Sequence, residues 1–357
     1  MLKLVRRCGW FAGLTVVLWG CSDDETGTGG AGGTTVATTG STTSTGGTGG
    51  TGGTGGSGGG YVCQPGEATV FALSELRFGT DVAGGWKKIG MNIDGLVSDG
   101  MSTDVCQPAA GGFPTVAYPD GDNGIDNAFG KSLLPLINAF SPDFVARTNQ
   151  QLDQGLFNTL LKIECLPPTG DVTGLNAKVF GGTELGSTPQ FDGTDEWPVA
   201  PELLADINDP DSSTLIFPNG TVVDNLYDSG PNVEFVLWIP VEFDGNKQVL
   251  KLSLHAARVQ LDLDEDRKSG KGVLAGVLNT EEVIEQVKKL AYIADKCSDD
   301  TYLQALTIIR QQSDIMTNGT QDPALTCDGI SFGVEFDMNE VQRGLIGPPA
   351  PAPMSCP

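Results

Sequence analysis

One short stretch of the chain is spaced as if to surround an ion. In Asp120-Gly121-Asp122-Asn123-Gly124-Ile125-Asp126, three carboxylates and an amide alternate with glycines. A hard cation such as Ca²⁺ takes about six to eight oxygens, and glycine lets a short loop turn back around it. Asp120, Asp122 and Asp126 are therefore candidate ligands of a structural calcium ion. The same residues also read as a polar turn opening a helix, with Asp126 or Asn127 as its cap. Asp262, Asp264 and Asp266 form a second acidic set on one face of a strand end, the pattern of a solvated face.

Other chemistry is thinly supplied. Gly130-Lys131-Ser132 imitates the end of a phosphate-binding loop, but the first glycine of that pattern should stand where Ile125 does. His255 is the chain's one histidine, and no G-x-S-x-G elbow accompanies it. It is expected to be an exposed residue on the polar side of its strand. Trp197, within Phe191-Asp192-Gly193-Thr194-Asp195-Glu196-Trp197, could stack on a sugar or edge the core. A net charge of −24 repels phosphate backbones and excludes nucleic acid as a partner.

The aspartate-rich stretch resembles the calcium loops of EF-hand-like and thrombospondin-repeat-like proteins, with Asp120 and Asp122 at the first two ligand positions. It lacks the downstream bidentate glutamate of an EF-hand. The resemblance implies an irregular loop whose cage Asp126 completes.

Residues 1–20 combine a basic start (Lys3, Arg6, Arg7), a short apolar run and a small residue at the end, which makes a signal peptide. The run falls short of the roughly 20 residues a membrane span requires. Leu18-Trp19-Gly20-Cys21 resembles the lipobox of bacterial lipoproteins, although Trp19 is larger than that position usually holds. The resemblance implies lipidation of Cys21, cleavage after Gly20 and a stable membrane anchor. Ser22, following the cysteine, points by analogy with the sorting rule of enteric lipoproteins to the outer membrane. Residues 26–60 are a Gly/Thr/Ser tract that cannot build a core. A flexible coil of that length reaches roughly 30–35 Å. Residues 21–60 are thus expected to be a lipidated N-terminus and linker, and residues 61–357 one globular domain.

Cys63, Cys106, Cys165, Cys297, Cys327 and Cys356 are an even set in a chain expected to be exported, which predicts three disulfides. Sequence proximity favours Cys63–Cys106 and Cys297–Cys327, leaving Cys165–Cys356.

Apolar alternation predicts strands over Thr69–Phe78, Trp86–Ile93, Thr159–Ile163, Leu175–Phe180, Thr214–Phe217, Val233–Phe243 and Gln248–Leu263, with a closing strand over Ile330–Phe336. The phase of the Gln248–Leu263 strand shifts at Ala256-Ala257, the signature of a bulge. Helical spacing is expected over Ile125–Phe140 and Ser141–Leu152, and in a hairpin of two helices flanking Cys297. The expected fold is a mainly β sandwich with appended helices.

Leader, tether, disulfides and acidic β domain together resemble the envelope lipoproteins of Gram-negative bacteria. That resemblance implies an exported chain anchored in the membrane by lipid, facing an envelope or extracellular ligand. The expected function is a non-enzymatic binding or structural module. The alternative is a hydrolase of envelope or extracellular polysaccharide that uses paired carboxylates.

Overall fold

Leu250, Leu252 and Leu254, then Val259, Leu261 and Leu263, lie on one 18-residue strand, Asn246–Leu263. The change of phase between them is a bulge. Ala256 takes a left-handed φ of 46°, and the register with the next strand slips between His255 and Arg258. The computed structural model describes residues 61–357, apart from 65, 81, 111–118, 141–142, 232 and 244–245. The expected signal peptide, Cys21 and the Gly/Thr/Ser tract lie outside the described residues.

Among the described residues there are ten strands: β1 (Ala68–Arg77), β2 (Asn158–Glu164), β3 (Val172–Gly182), β4 (Glu196–Val199), β5 (Leu215–Val223), β6 (Leu226–Asp228), β7 (Val233–Phe243), β8 (Asn246–Leu263), β9 (Ser269–Asn279) and β10 (Gly329–Ile346). Four α-helices accompany them: α1 (Leu134–Phe140), α2 (Phe144–Asp153), α3 (Thr280–Ile293) and α4 (Asp300–Arg310). The mainly β composition is as expected. The two sheets of a sandwich are not formed, because all ten strands belong to one hydrogen-bonded sheet.

That sheet closes on itself. Antiparallel pairings run β1–β2, β2–β3, β3–β5, β5–β6, β6–β8, β8–β9 and β9–β10, and β10 returns to β1. Closure leaves no free edge in the ring. β4 lies parallel to the far end of β10, and β7 is a hairpin partner of the first half of β8.

Phe71 and Leu73 of β1, Leu161 and Ile163 of β2, and Ile330, Phe332, Val334 and Phe336 of β10 join the main core. The opposite face of β1 is buried as well, with Val70 and Ala72 in a smaller cluster around Trp197. Burial on both faces explains why β1 reads as an apolar run with little alternation.

One expected strand is absent and one observed strand was not expected, each for a local reason. Trp86–Ile93 is not a strand: Gly85–Lys88 is a 3-10 turn entered through Gly84 at φ 73°. β9 escapes the sequence pattern because Gly270, Gly272 and Gly276 interrupt its apolar residues. A Cβ at Gly272 would stand 2.4 Å from the Phe336 ring, so the gap in the pattern is the space the phenylalanine fills.

All six cysteines are paired, but none of the three proximity pairings holds. The disulfides are Cys63–Cys165, Cys106–Cys327 and Cys297–Cys356. Ring closure brings distant segments together, so sequence distance is a poor guide to spatial distance. Among the described residues no helix is long and apolar enough to cross a membrane.

Candidate functional site

The Asp120–Asp126 stretch forms a tight turn against another loop. Asn123 and Gly124 are both left-handed, at φ 57° and 83°. A Cβ on Gly124 would lie 2.5 Å from both Asn92 Nδ2 and the Leu96 carbonyl, so only glycine admits this approach. The facing loop, Asn92–Ser98, is tied by its own Asx contacts: Asn92 Oδ1 accepts from Gly95 N, and Asp94 Oδ1 accepts from Leu96 N.

Carboxylates from three segments meet here. Asp126 is 3% exposed, and its Oδ2 accepts from Ile93 N at 2.6 Å. Asp120 Oδ2 accepts from Ser98 N at 2.5 Å, and Asp120 N donates to the Ser98 carbonyl at 3.1 Å. Asp126 and Asp120 thus both fasten the turn to the Asn92–Ser98 loop. Asp314 accepts from Ser331 N at 2.8 Å and from Ser331 Oγ at 2.6 Å. Gln321 Nε2 bridges, donating to Asp94 Oδ2 at 2.9 Å and to the Asp314 carbonyl at 3.1 Å. The Cys106–Cys327 disulfide clamps the same region, and Cys106 N donates to Gln321 Oε1 at 2.9 Å.

Crowding of acids away from water raises their affinity for protons. Burial, reinforced by Asp94, pushes the Asp126 carboxyl up to about 8. Burial takes Asp314 to about 7 against the opposing bonds from Ser331. Burial takes Asp120 to about 6, held back by the Ser98 N–H. Lys131 is the nearby cation. Its ammonium is lowered by burial while Asp314 and Asp120 favour its charge, and it lies 5.0 Å from the centre of the Trp86 ring.

The sequence-predicted trio is thus only partly assembled. Asp120 and Asp126 come together, whereas Asp122 is exposed on its turn. Asp94 and Asp314 were missed. Asn92-Ile93-Asp94-Gly95 repeats the Asp-Gly signal of the other loop and could have been read, while nothing in the sequence around Asp314 marks it. The capping alternative is also realised in part, since Asn127 Oδ1 accepts from Gly130 N at 2.8 Å. Asn127 further bonds both backbone groups of Gly333, at 3.3 and 3.2 Å, on the part of β10 beyond its pairing with β1. Carboxylate oxygens suit a hard cation. Among the described residues, however, no three His, Cys, Asp or Glu side chains gather closely enough to hold a metal ion.

The remaining candidates are structural or solvated. Trp197 is fully buried and donates its indole N–H to the Thr183 carbonyl at 2.8 Å, so it serves the core. Asp262, Asp264 and Asp266 are all exposed, as expected of a solvated face. His255 is less exposed than expected, with 26% of its side chain accessible. Glu234 is the one acid lining a groove of about 520 Å³, among Ile216, Pro218, Gly230 and Pro231. That groove holds none of the three raised carboxyls. Comparison with protein-family models, curated proteins and solved structures finds no match for the chain.

Proposed function

We propose that residues 61–357 are a non-enzymatic binding or structural module, exported and held at a membrane surface through a lipid on Cys21 and the Gly/Thr/Ser tether. The observation that carries the non-enzymatic reading is the placement of the raised carboxyls. Asp120, Asp126 and Asp314 are spent on backbone N–H groups and on the Ser331 hydroxyl, inside packed loops. A polysaccharide hydrolase needs two carboxylates facing a substrate cleft, and the described groove offers Glu234 alone. A structural Ca²⁺ belongs to this proposal, with Asp120 and Asp126 as its ligands, the ion offsetting the cost of burying their charge. Its role would be to lock the Asn92–Ser98 loop against the Asp120–Asp126 turn.

The tether is tested by metabolic labelling with palmitate. The parent chain should incorporate label and sediment with membranes, and Cys21→Ser should do neither. Unchanged labelling in that variant overturns the anchor.

A further inference from the structure

Two Asp–Pro bonds occur in the chain, Asp209–Pro210 and Asp322–Pro323. Each opens a turn of the same kind. Asp209 Oδ1 accepts from Asp211 N at 2.9 Å, and the Asp209 carbonyl accepts from Ser212 N at 3.1 Å. Asp322 Oδ1 accepts from Ala324 N at 2.9 Å, and the Asp322 carbonyl accepts from Leu325 N at 3.0 Å. Among the described residues, the Asp209 carbonyl alone of the two gains a side-chain donor as well: Ser212 Oγ lies 2.7 Å from it. We propose that Asp209–Pro210 is a self-cleavage site, where the Asp209 carboxylate attacks its own carbonyl carbon and expels the Pro210 nitrogen.

The turn is exposed but firmly held. Residues 203–205 and 212–214 form a short hairpin, in which Ala205 N donates to the Ser212 carbonyl at 2.6 Å and Thr214 N to the Leu203 carbonyl at 2.9 Å. Asp211 pins its tip to the sheet, because its carboxylate takes Lys162 Nζ at 2.5 Å and Lys178 Nζ at 3.1 Å. The Asp211 N–H is thereby a fixed point for the Asp209 carboxylate. Ser212 Oγ accepts from Asp206 N at 2.9 Å, which leaves its one proton free to donate. The Asp206 carbonyl competes for that proton at 2.9 Å, and the Asp209 carbonyl is closer.

In the reaction, a carboxylate oxygen of Asp209 bonds to the Asp209 carbonyl carbon and closes a small ring. The carbonyl oxygen becomes an oxyanion, which the Ser212 N–H and hydroxyl stabilise. The C–N bond to Pro210 then breaks, and the nitrogen leaves with the electron pair and takes a proton from water. Proline suits this role because it departs as a basic secondary amine. One water opens the cyclic anhydride, restoring the Asp209 side chain and creating a new α-carboxylate. This is a single turnover within the chain and needs no substrate cleft. The two pieces stay joined by Cys106–Cys327, since each of the other disulfides lies within one piece.

The test incubates the purified full chain in mildly acidic buffer and follows both bonds by mass spectrometry after reduction. In the parent, the fragment beginning at Pro210 should accumulate about tenfold faster than the one beginning at Pro323, less than a buried oxyanion donor supplies because water reaches this turn. Ser212→Ala should bring the two rates within about twofold of each other, since it removes the extra donor. Ser212→Thr, which keeps the hydroxyl, should retain the preference. Asp209→Ala should abolish the Pro210 fragment. Equal cutting at both bonds in the parent overturns the proposal. So does a Pro210 fragment that never appears, that survives Asp209→Ala, or whose lead survives Ser212→Ala. A lead lost in Ser212→Thr as well would trace to packing and overturn the role of the hydroxyl.

Discussion

Asp126 Oδ2 accepts from Ile93 N at 2.6 Å, which docks the buried carboxyl of the Asp120–Asp126 turn on the facing Asn92–Ser98 loop. Burial and the nearby acid Asp94 make that carboxyl hold its proton more firmly than a free aspartate does. This contact decides how the loop responds to its solution.

Calcium should stabilise the folded chain by binding the ionised carboxylates of Asp120 and Asp126. For a dissociation constant on the order of 10⁻⁴ M, typical of extracellular sites, about 10 mM Ca²⁺ adds about 2.7 kcal/mol. The melting temperature of the full chain should then rise by a few degrees over its value in chelator. Asp126→Asn should remove the increment, and Asp122→Ala should keep it, because Asp122 is exposed and outside the contact. Equal melting temperatures in chelator and in calcium would remove the ion from the proposal.

In chelator, the same cluster makes stability depend on pH. Asp120, Asp126 and Asp314 all have carboxyls raised above the ordinary value, so the folded state holds more protons than the unfolded one. Their contribution is full below the unfolded value of about 4 and is lost as pH climbs through the folded ones. The denaturant midpoint should therefore fall between pH 5 and pH 8, the upper edge set by Asp126 at about 8. Asp126→Asn should flatten the profile. A midpoint that rises over this interval in the parent contradicts the account.

Arg267 should be a site of large loss. It is 3% exposed and donates to the carbonyls of Pro167 and Gly170 at 2.7 and 2.8 Å, and to Asn225 Oδ1 at 2.9 Å. One guanidinium thereby joins the turn after β8 to the β2–β3 connection and the β5–β6 turn. Arg267→Met leaves the buried Pro167 carbonyl without its donor and unties the Gly170 and Asn225 contacts, a cost of about 1–3 kcal/mol. Lysine has no planar fork and should recover little of it. Chemical denaturation of the two variants against the parent checks both statements.

Peptide mapping without reduction should return the linkages 63–165, 106–327 and 297–356. Replacing Cys106 and Cys327 together by serine should cost about 2–5 kcal/mol, within the range for long closed loops. It should also weaken any calcium response, because that disulfide clamps the Asn92–Ser98 side of the cluster. A linkage between Cys63 and Cys106 would disagree with the fold.

Strands that alternate visibly were legible in the sequence. β8 declared both its faces and its bulge, and β10 declared its core face through Ile330, Phe332, Val334 and Phe336. β9 was not legible, because its glycines carry no pattern of their own: Gly272 makes room for Phe336 on β10, and Gly270 and Gly276 lie against Leu261 and Ala257 on β8. The disulfide pairings and the place of Asp314 share that defect. Each depends on which distant strand becomes a neighbour, and local spacing does not encode closure of the ring. Asp120 and Asp126 could be found because both lie in one short aspartate- and glycine-rich stretch. Asp122 looked equivalent to them until the left-handed turn at Asn123 and Gly124 set its side chain on the outside.

Ring closure also bears on the order in which the chain can be made. The first strand of the ring, β1, finds its second neighbour only in β10, with Val70 opposite Val341 and Arg77 opposite Glu335. A chain emerging from its N-terminus must hold the apolar faces of Phe71 and Leu73 unfinished until the last strand arrives. Starting the polypeptide elsewhere, in the β5–β6 turn for instance, and joining β10 to β1 by a short connector would make that seam a local hairpin. Such a circularly permuted chain should reach the same ring and complete its β1–β10 ladder earlier in folding.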